Sequence, residues 1–323
     1  PAIPRKRLIA GAAVKTSADL RITAIEDLGI DVPMFDITTE TGDFIADGVV
    51  SHNCFARPTH EYLGLNIGED FDTKIVVKRN AVELVRKETS PVKWGGDLIA
   101  MGTNTDPYQA AEGKYRLTRG ILEVMVERAN PVSILTKSSL VLRDLDLLAD
   151  LAGKTKVRVD LSVGTVDERV WKTTESGTSH PLRRLEAVAK LNAAGIRSGV
   201  LMGPVLPGIS DDADQLRATV HAAVAAGAKS IGHVALHLGP GIKEHFMDWI
   251  RSNRPDLIPM YEDLYSGKGK QAASRYRARL GRTIGDLIWE AGGPMPKRPQ
   301  PAAAPKKTTP KPKARTTQLS LNL

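Results

Sequence analysis

The sequence holds a single cysteine, Cys54, among its 323 residues. One thiol forms no internal disulfide, so nothing calls for an oxidising compartment and the chain reads as cytoplasmic. Aromatic residues are scarce at 5%, which leaves a mostly aliphatic core to be drawn from the 41% of hydrophobic residues. No apolar run approaches the roughly 18 residues needed to cross a bilayer. The basic opening "PAIPRKRLIAGAAVKTSADL" lacks the sustained apolar stretch of a secretory signal. Methionine is missing from the first position, where Pro1 stands, and this reads as a start inside a longer frame.

Acidic residues are missing from 294–323, which carries seven basic ones (Lys297, Arg298, Lys306, Lys307, Lys311, Lys313 and Arg315). Removing those seven from the net charge of +8 leaves +1 for the rest. The body is therefore nearly neutral, and the basic character belongs to a Pro/Lys/Thr/Ala-rich tail that cannot bury apolar surface and is expected to be disordered. Such an arm suits either solubilisation or contact with a nucleic-acid backbone.

The pattern changes at Cys54. Before it, "RITAIEDLG", "PMFDITTE" and "FIADGVVSH" read as short strands, with Asp47-Gly48 as a hairpin turn. After it, apolar strands alternate with amphipathic helices. "NAVELVRKETS", "LTRGILEVMVERAN", "RDLDLLADLAG", "HPLRRLEAVAKLNAAG" and "DADQLRATVHAAVAAGA" are helical, and Gly153, Gly195 and Gly227 stand near helix ends. The strands lie in "DLIAMGTNTDPYQ", "PVSILTKSS", "KVRVDLSVGTVD", "IRSGVLMGPVLPGISD" and "KSIGHVALHLGP", with "FDTKIVVKR" (71–79) as a sixth candidate. This alternation predicts an α/β fold with a parallel sheet, either a barrel of about six βα units or an open sheet. In a barrel, chemistry sits at the carboxyl ends of strands. Those ends here are polar or turn-forming: Gly102 to Asp106, Thr136-Lys137-Ser138, Ser162 to Thr165, and Pro204 to Gly208.

The junction "SHNC" carries its own chemistry. An Asn side chain can attack its own backbone carbonyl and cut the chain after itself, given a proton donor for the leaving amine. His52 is suited to that role, and Cys54 is the natural acyl acceptor. "PMFDITTETGDFIADGVVSHNC" resembles the C-terminal splicing region of inteins over residues 21 to 54. The resemblance implies an all-β C-terminal half of a HINT domain. In it Asp36 lies near the branched intermediate, His52 is the penultimate histidine, Asn53 cyclises and Cys54 opens the downstream extein. Asp43 stands where many inteins carry a histidine, and the first half of an intein is missing.

From Cys54 onward the chain resembles radical S-adenosylmethionine enzymes, in particular the spore photoproduct lyase branch. The motifs are "CFARPTHEYLGL", "GTNTDPYQAAE", "LTRGILEV", "ILTKSSLVLRDLDLL", "VDLSVGTVDE", "RRLEAVAKLNAAGI" and "GPVLPGISD". The resemblance implies a partial (β/α)6-type barrel. It also implies a 4Fe-4S cluster held by three cysteines, with Cys54 as the third and the first two in an upstream extein. S-adenosylmethionine would then be cleaved to a 5′-deoxyadenosyl radical. Cofactor contacts carried over by position are Gly102, Thr103, Asn104 and Asp106, then Lys137 toward the cofactor carboxylate and Ser162 toward the same end. Each also has a plainer reading, as a turn, a helix partner or a backbone cap.

His233 and His237, in "HVALH", read as barrel-interior histidines, and Arg57 and His60 as shapers of the cluster loop. The spore lesion lyases use a further cysteine as hydrogen-atom donor, and this chain has none after Cys54. "QLSLNL", Gln318 to Leu323, resembles the peptide by which bacterial repair proteins dock on the DNA sliding clamp. The expected organisation is an intein segment over 1–53, a βα barrel over 54–266, a helical extension over 267–293 and the basic tail over 294–323. The expected partners are the N-terminal intein half with its extein, and DNA and the sliding clamp through the tail. Two rival readings treat the chain as a trans-splicing half with a passenger extein, or as a non-catalytic binder of DNA or the clamp.

Overall fold

The computed structural model describes residues 77–294 apart from Lys93, Thr103, Asn104, Ser176, Pro240, Gly241 and Lys268. The intein-like segment, Cys54 with Arg57 and His60, and the basic tail lie outside the described residues. So do positions 71–76 of the sixth candidate strand, and Val77, Lys78 and Arg79 carry no strand.

Helix α1 (Ala81–Glu88) leads into β1 (Ile99–Met101). The chain then runs through α2 (Glu112–Tyr115), α3 (Leu117–Arg128), β2 (Val132–Thr136), α4 (Leu145–Lys154), β3 (Val157–Ser162), α5 (Glu168–Thr174), α6 (Pro181–Ala193) and β4 (Arg197–Val205). It continues through α7 (Ala213–Ala225), β5 (Ile231–Ala235), α8 (Ile242–Asn253), α9 (Ile258–Leu264) and α10 (Ser274–Glu290). Among the described residues the five strands are all parallel and lie in the order β1-β2-β3-β4-β5. Sequential order without a reversal point is the arrangement of a barrel wall and not of a doubly wound sheet. That settles the alternative left open by alternation alone.

The expected helices form where the amphipathic pattern placed them, and two details differ. Gly195 and Gly227 end α6 and α7 with φ of 80° and 71°, the left-handed turn that glycine permits without steric cost. Gly153 instead lies inside the last turn of α4, which stops at an extended Thr155. Helix α5 occupies residues to which the sequence pattern assigned no element. Asp167 caps it, its carboxylate accepting from Arg169 N at 2.8 Å and Val170 N at 3.0 Å.

Side-chain alternation separates the two sheet faces. Val132, Ile134, Val157, Val159, Leu161, Val200, Met202 and Ile231 point outward beneath the helices and are buried. The inner face mixes small or polar residues, Ala100, Ser133, Asp160, Gly199, Gly203 and Gly232, with the aliphatic Leu135, Leu201 and Val234. Ala100 is exposed, and Ser133, Leu201, Gly232 and Val234 are half-buried. Barrel interiors of this type are ordinarily filled by bulky branched side chains. The glycine, alanine and serine positions on this face leave more space than a fully aliphatic layer would.

His233 shares the outer face with Ile231 and packs against Gly281 of α10, where a β-carbon would lie 3.3 Å from its Nε2. Burial lowers its pKa. His237 lies beyond β5, paired with Gln271 in an isolated bridge. The expectation of two interior histidines is therefore corrected: the odd-numbered residues of β5 face the helices, and the strand ends before His237.

Candidate functional site

The expected site residues after β1, β2 and β3 share one parity. Gly102 follows Ala100, Lys137 follows Leu135, and Ser162 follows Asp160, all on the inner face. Thr136 pairs with Leu161, so one further residue sets Lys137 level with Ser162. The sheet register thus gathers three candidates onto one inner surface at the carboxyl ends. Thr103 and Asn104 lie outside the described residues.

Gly102 has a φ of 94°, and a β-carbon there would lie 2.1 Å from the carbonyl oxygen of Leu135. Glycine is required on both counts. Asp106 is buried and works within the protein. Its carboxylate accepts from Thr136 Oγ1 at 2.6 Å, Lys137 N at 2.8 Å and Tyr108 N at 2.8 Å. It therefore ties the loop after β1 to the end of β2. Burial pushes its pKa up, and the three donors oppose that shift.

Lys137 is only 2% exposed. Its ammonium donates to Glu175 Oε1 at 2.8 Å. Arg184, fully buried on α6, donates from one guanidinium nitrogen to Glu175 Oε2 at 2.8 Å and to the Ser162 carbonyl at 2.8 Å. The same guanidinium donates to the Ser179 carbonyl at 2.6 Å and to Thr178 Oγ1. Glu175 is thus a bridge between two cations, and Arg184 fastens the segment after α5 over the end of β3. Ser162 donates its hydroxyl to the Gly203 carbonyl at 2.7 Å, which leaves its oxygen lone pairs as acceptors. Burial lowers the Lys137 pKa to about 7; Glu175 opposes this shift and Arg184 adds to it.

Neither Glu175 nor Arg184 was singled out from sequence. A signal for Arg184 existed: Pro181, Arg184, Val188 and Leu191 form the buried stripe of α6, and an arginine on a core stripe demands a partner. A separate concavity of about 610 Å³, lined by Arg169, Asp211, Gln215, Trp249 and Arg254 among others, shares no residue with this cluster.

Comparison with known proteins decides the family. The model of the Radical SAM superfamily matches residues 54–220. The chain belongs to the radical SAM superfamily. Uncharacterised proteins of Mycobacterium tuberculosis and Mycobacterium bovis are each 39% identical over 254 residues, covering 78% of this chain and 74% of theirs. Among solved structures, a spore photoproduct lyase complexed with dinucleoside spore photoproduct aligns with a TM-score of 0.54 at 17% identity, over 81% of this chain and 78% of that one. A mutant of that lyase with bound AdoMet and dinucleoside spore photoproduct gives 0.53 at 17% identity with the same coverage. At that identity the likeness is one of fold.

Family membership implies use of S-adenosylmethionine and a 4Fe-4S cluster. The strand ends fit the first: a buried ammonium, a hydroxyl oxygen and a glycine backbone. The cluster is different. Among the described residues no group of three or more His, Cys, Asp or Glu is placed to hold a metal ion, and the sole cysteine lies outside them. One thiolate does not hold four irons, so this chain by itself does not fit the cluster. Among the described residues no helix is long and apolar enough to cross a membrane.

Proposed function

We propose that the barrel binds S-adenosylmethionine at the carboxyl ends of β1 to β3. In this reading Lys137 receives the cofactor carboxylate and Ser162 accepts from its amino end. Gly102 admits the cofactor close to the backbone. The observation that carries it is the shared inner-face parity of Gly102, Lys137 and Ser162 in a radical SAM chain. When bound, this cofactor supplies a 5′-deoxyadenosyl group for hydrogen-atom abstraction. The chain's residues orient it and keep water from it. Isothermal titration of the chain with S-adenosylmethionine tests the reading: Lys137→Met weakens binding at least about tenfold, and equal affinity for both proteins overturns it.

The proposal extends to the origin of the chain. It is the product-side part of a precursor in which Asn53 cyclises, assisted by His52 with Asp36 nearby, and Cys54 accepts the upstream acyl group. Cys54 then stands as the third cluster thiolate beside two cysteines of the upstream extein. The family match beginning at residue 54, directly after Asn53, supports this reading. Mass spectrometry of the protein made from its native reading frame tests it. A peptide joining Cys54 to a residue other than Asn53 is expected, with 1–53 released. An intact Asn53–Cys54 bond in the mature protein overturns it.

For the substrate we propose a nucleic acid, on the strength of the basic 294–323 segment and its clamp-like "QLSLNL". The lyase structures of similar fold hold a dinucleoside lesion, which agrees with that class. Repair that depends on a second cysteine as hydrogen donor is not part of the proposal, because the chain has one cysteine.

A further inference from the structure

The cluster behind Lys137 has a hydrogen-bonding pattern that the reading above does not use. Three elements face the Lys137 side chain and its backbone. Glu175 comes from the end of α5, Arg184 from α6, and Asp106 from the loop after β1. The oxygens of Asp106 are taken by Thr136, Tyr108 and the Lys137 amide. Lys137, Glu175 and Arg184 then form a contact group of two cations and one carboxylate, all less than 7% exposed. Both Glu175 oxygens are occupied, one by each cation. Arg184 spends its remaining nitrogens on Ser179 and Thr178. The Lys137 ammonium has three donors and, among the described residues, one partner. Two ammonium donors of Lys137 are therefore left over in a desolvated place. Gly164 lies alongside the pair, and a β-carbon there would sit 3.4 Å from Glu175 Oε1.

We propose that Glu175 is the positioning residue of a carboxylate subsite, holding the Lys137 ammonium from behind so that its free donors meet the amino-acid carboxylate of an S-adenosyl ligand. Arg184 acts one step further back by fixing Glu175. The inference rests on the reading of Lys137 given above. The ligand carboxylate accepts from the ammonium donors that Glu175 leaves over. Without Glu175, Lys137 would face Arg184 with no counter-charge between them, and burial would drive it neutral.

The test is calorimetric titration of the full chain with two ligands, S-adenosylhomocysteine and 5′-methylthioadenosine, which lacks the amino-acid carboxylate. It is run from about pH 6 to about pH 9. Wild type is expected to favour S-adenosylhomocysteine. Glu175→Gln is expected to weaken that ligand about tenfold at the alkaline end, to recover affinity toward the acid end, and to leave 5′-methylthioadenosine unchanged. Glu175→Asp, which keeps the charge, is expected to restore the wild-type pH profile in part. It serves as the readout if Glu175→Gln does not fold. Equal weakening of both ligands would mark Glu175 as merely structural and overturn the inference. So would a wild-type profile in Glu175→Gln, with the Lys137 reading intact. If wild type shows no preference between the two ligands, the Lys137 reading itself falls, and the role of Glu175 with it.

Discussion

Gly102 and Leu135 touch backbone to backbone at the point where β1 leaves the sheet: a β-carbon on Gly102 would lie 2.1 Å from the Leu135 carbonyl oxygen. The contact closes β1 onto β2 immediately before the loop that carries Asp106. A side chain at residue 102 could be placed only by separating the two strand ends.

Gly102→Ala is therefore expected to cost about 3 kcal/mol or more, since the clash adds to the strain of a positive φ. Gly227→Ala supplies the comparison. Its φ is 71°, yet nothing lies within 4 Å of the added carbon, so only the conformational cost of about 1 kcal/mol applies. Urea unfolding of both variants measures the difference. Equal losses would show that the strand ends part easily.

Arg184 is a fully buried cation on a core stripe, and Glu175→Leu would leave it and Lys137 without the carboxylate that bridges them. The expected loss is about 3–5 kcal/mol. Replacing the whole group, as Lys137→Met, Glu175→Leu and Arg184→Met together, is expected to cost less than the single change, because no unpaired charge stays behind. Chemical denaturation of the two proteins decides it. A triple variant weaker than the single one would mean that the charges stabilise the fold outright.

The sheet was legible because each βα unit repeats one pattern: an aliphatic strand, a polar end, and an amphipathic helix closed by glycine or a short loop. The strand-end segments holding Lys137 and Ser162 stood out as polar residues after runs such as "SILT" and "VRVDL", and the resemblance to radical S-adenosylmethionine enzymes singled out those two within them. Strand order was not legible, since alternation is the same in a barrel and a doubly wound sheet, and only pairing tells them apart. His233 was misplaced because a strand of five residues has too few alternations to show which parity faces the helices. Glu175 was invisible for a different reason. It follows a helix of seven residues, and its partners are 38 and 9 positions away in sequence. A bridge between two cations is a tertiary fact.

Two tyrosines fasten the C-terminal helices to the loops after β4 and β5. Tyr261 donates its hydroxyl to the Pro207 carbonyl at 2.9 Å, and Tyr265 donates to the Leu236 carbonyl at 2.6 Å. Their rings stack with centroids 5.8 Å apart. Tyr261→Phe and Tyr265→Phe keep the stack and each leave a buried carbonyl without that donor, at an expected cost of about 1–2 kcal/mol apiece. Thermal unfolding of the single and double variants checks this. Losses that fail to add would show that the stacked pair responds as one unit.

Lys137 gives the fold a pH dependence whose sign follows from its environment. Burial, the largest influence, lowers its pKa from the ordinary 10.5 to about 7, while Glu175 holds it up and Arg184 presses it down. The unfolded chain then binds this proton more tightly than the folded one between about pH 7 and the ordinary lysine value. Across that window the unfolded state carries more protons, so stability rises with pH, by at most about 1.4 kcal/mol per pH unit from this group. Below the window both states are protonated and the penalty is constant; above it both are neutral and the penalty is gone. Other groups titrate in the same range, so the measurement is the difference between wild type and Lys137→Met in urea unfolding from about pH 6 to about pH 10. The gap between the two proteins is expected to shift in favour of wild type as pH rises. A constant gap would mean that Glu175 holds the ammonium charged throughout, as a fully formed buried ion pair would.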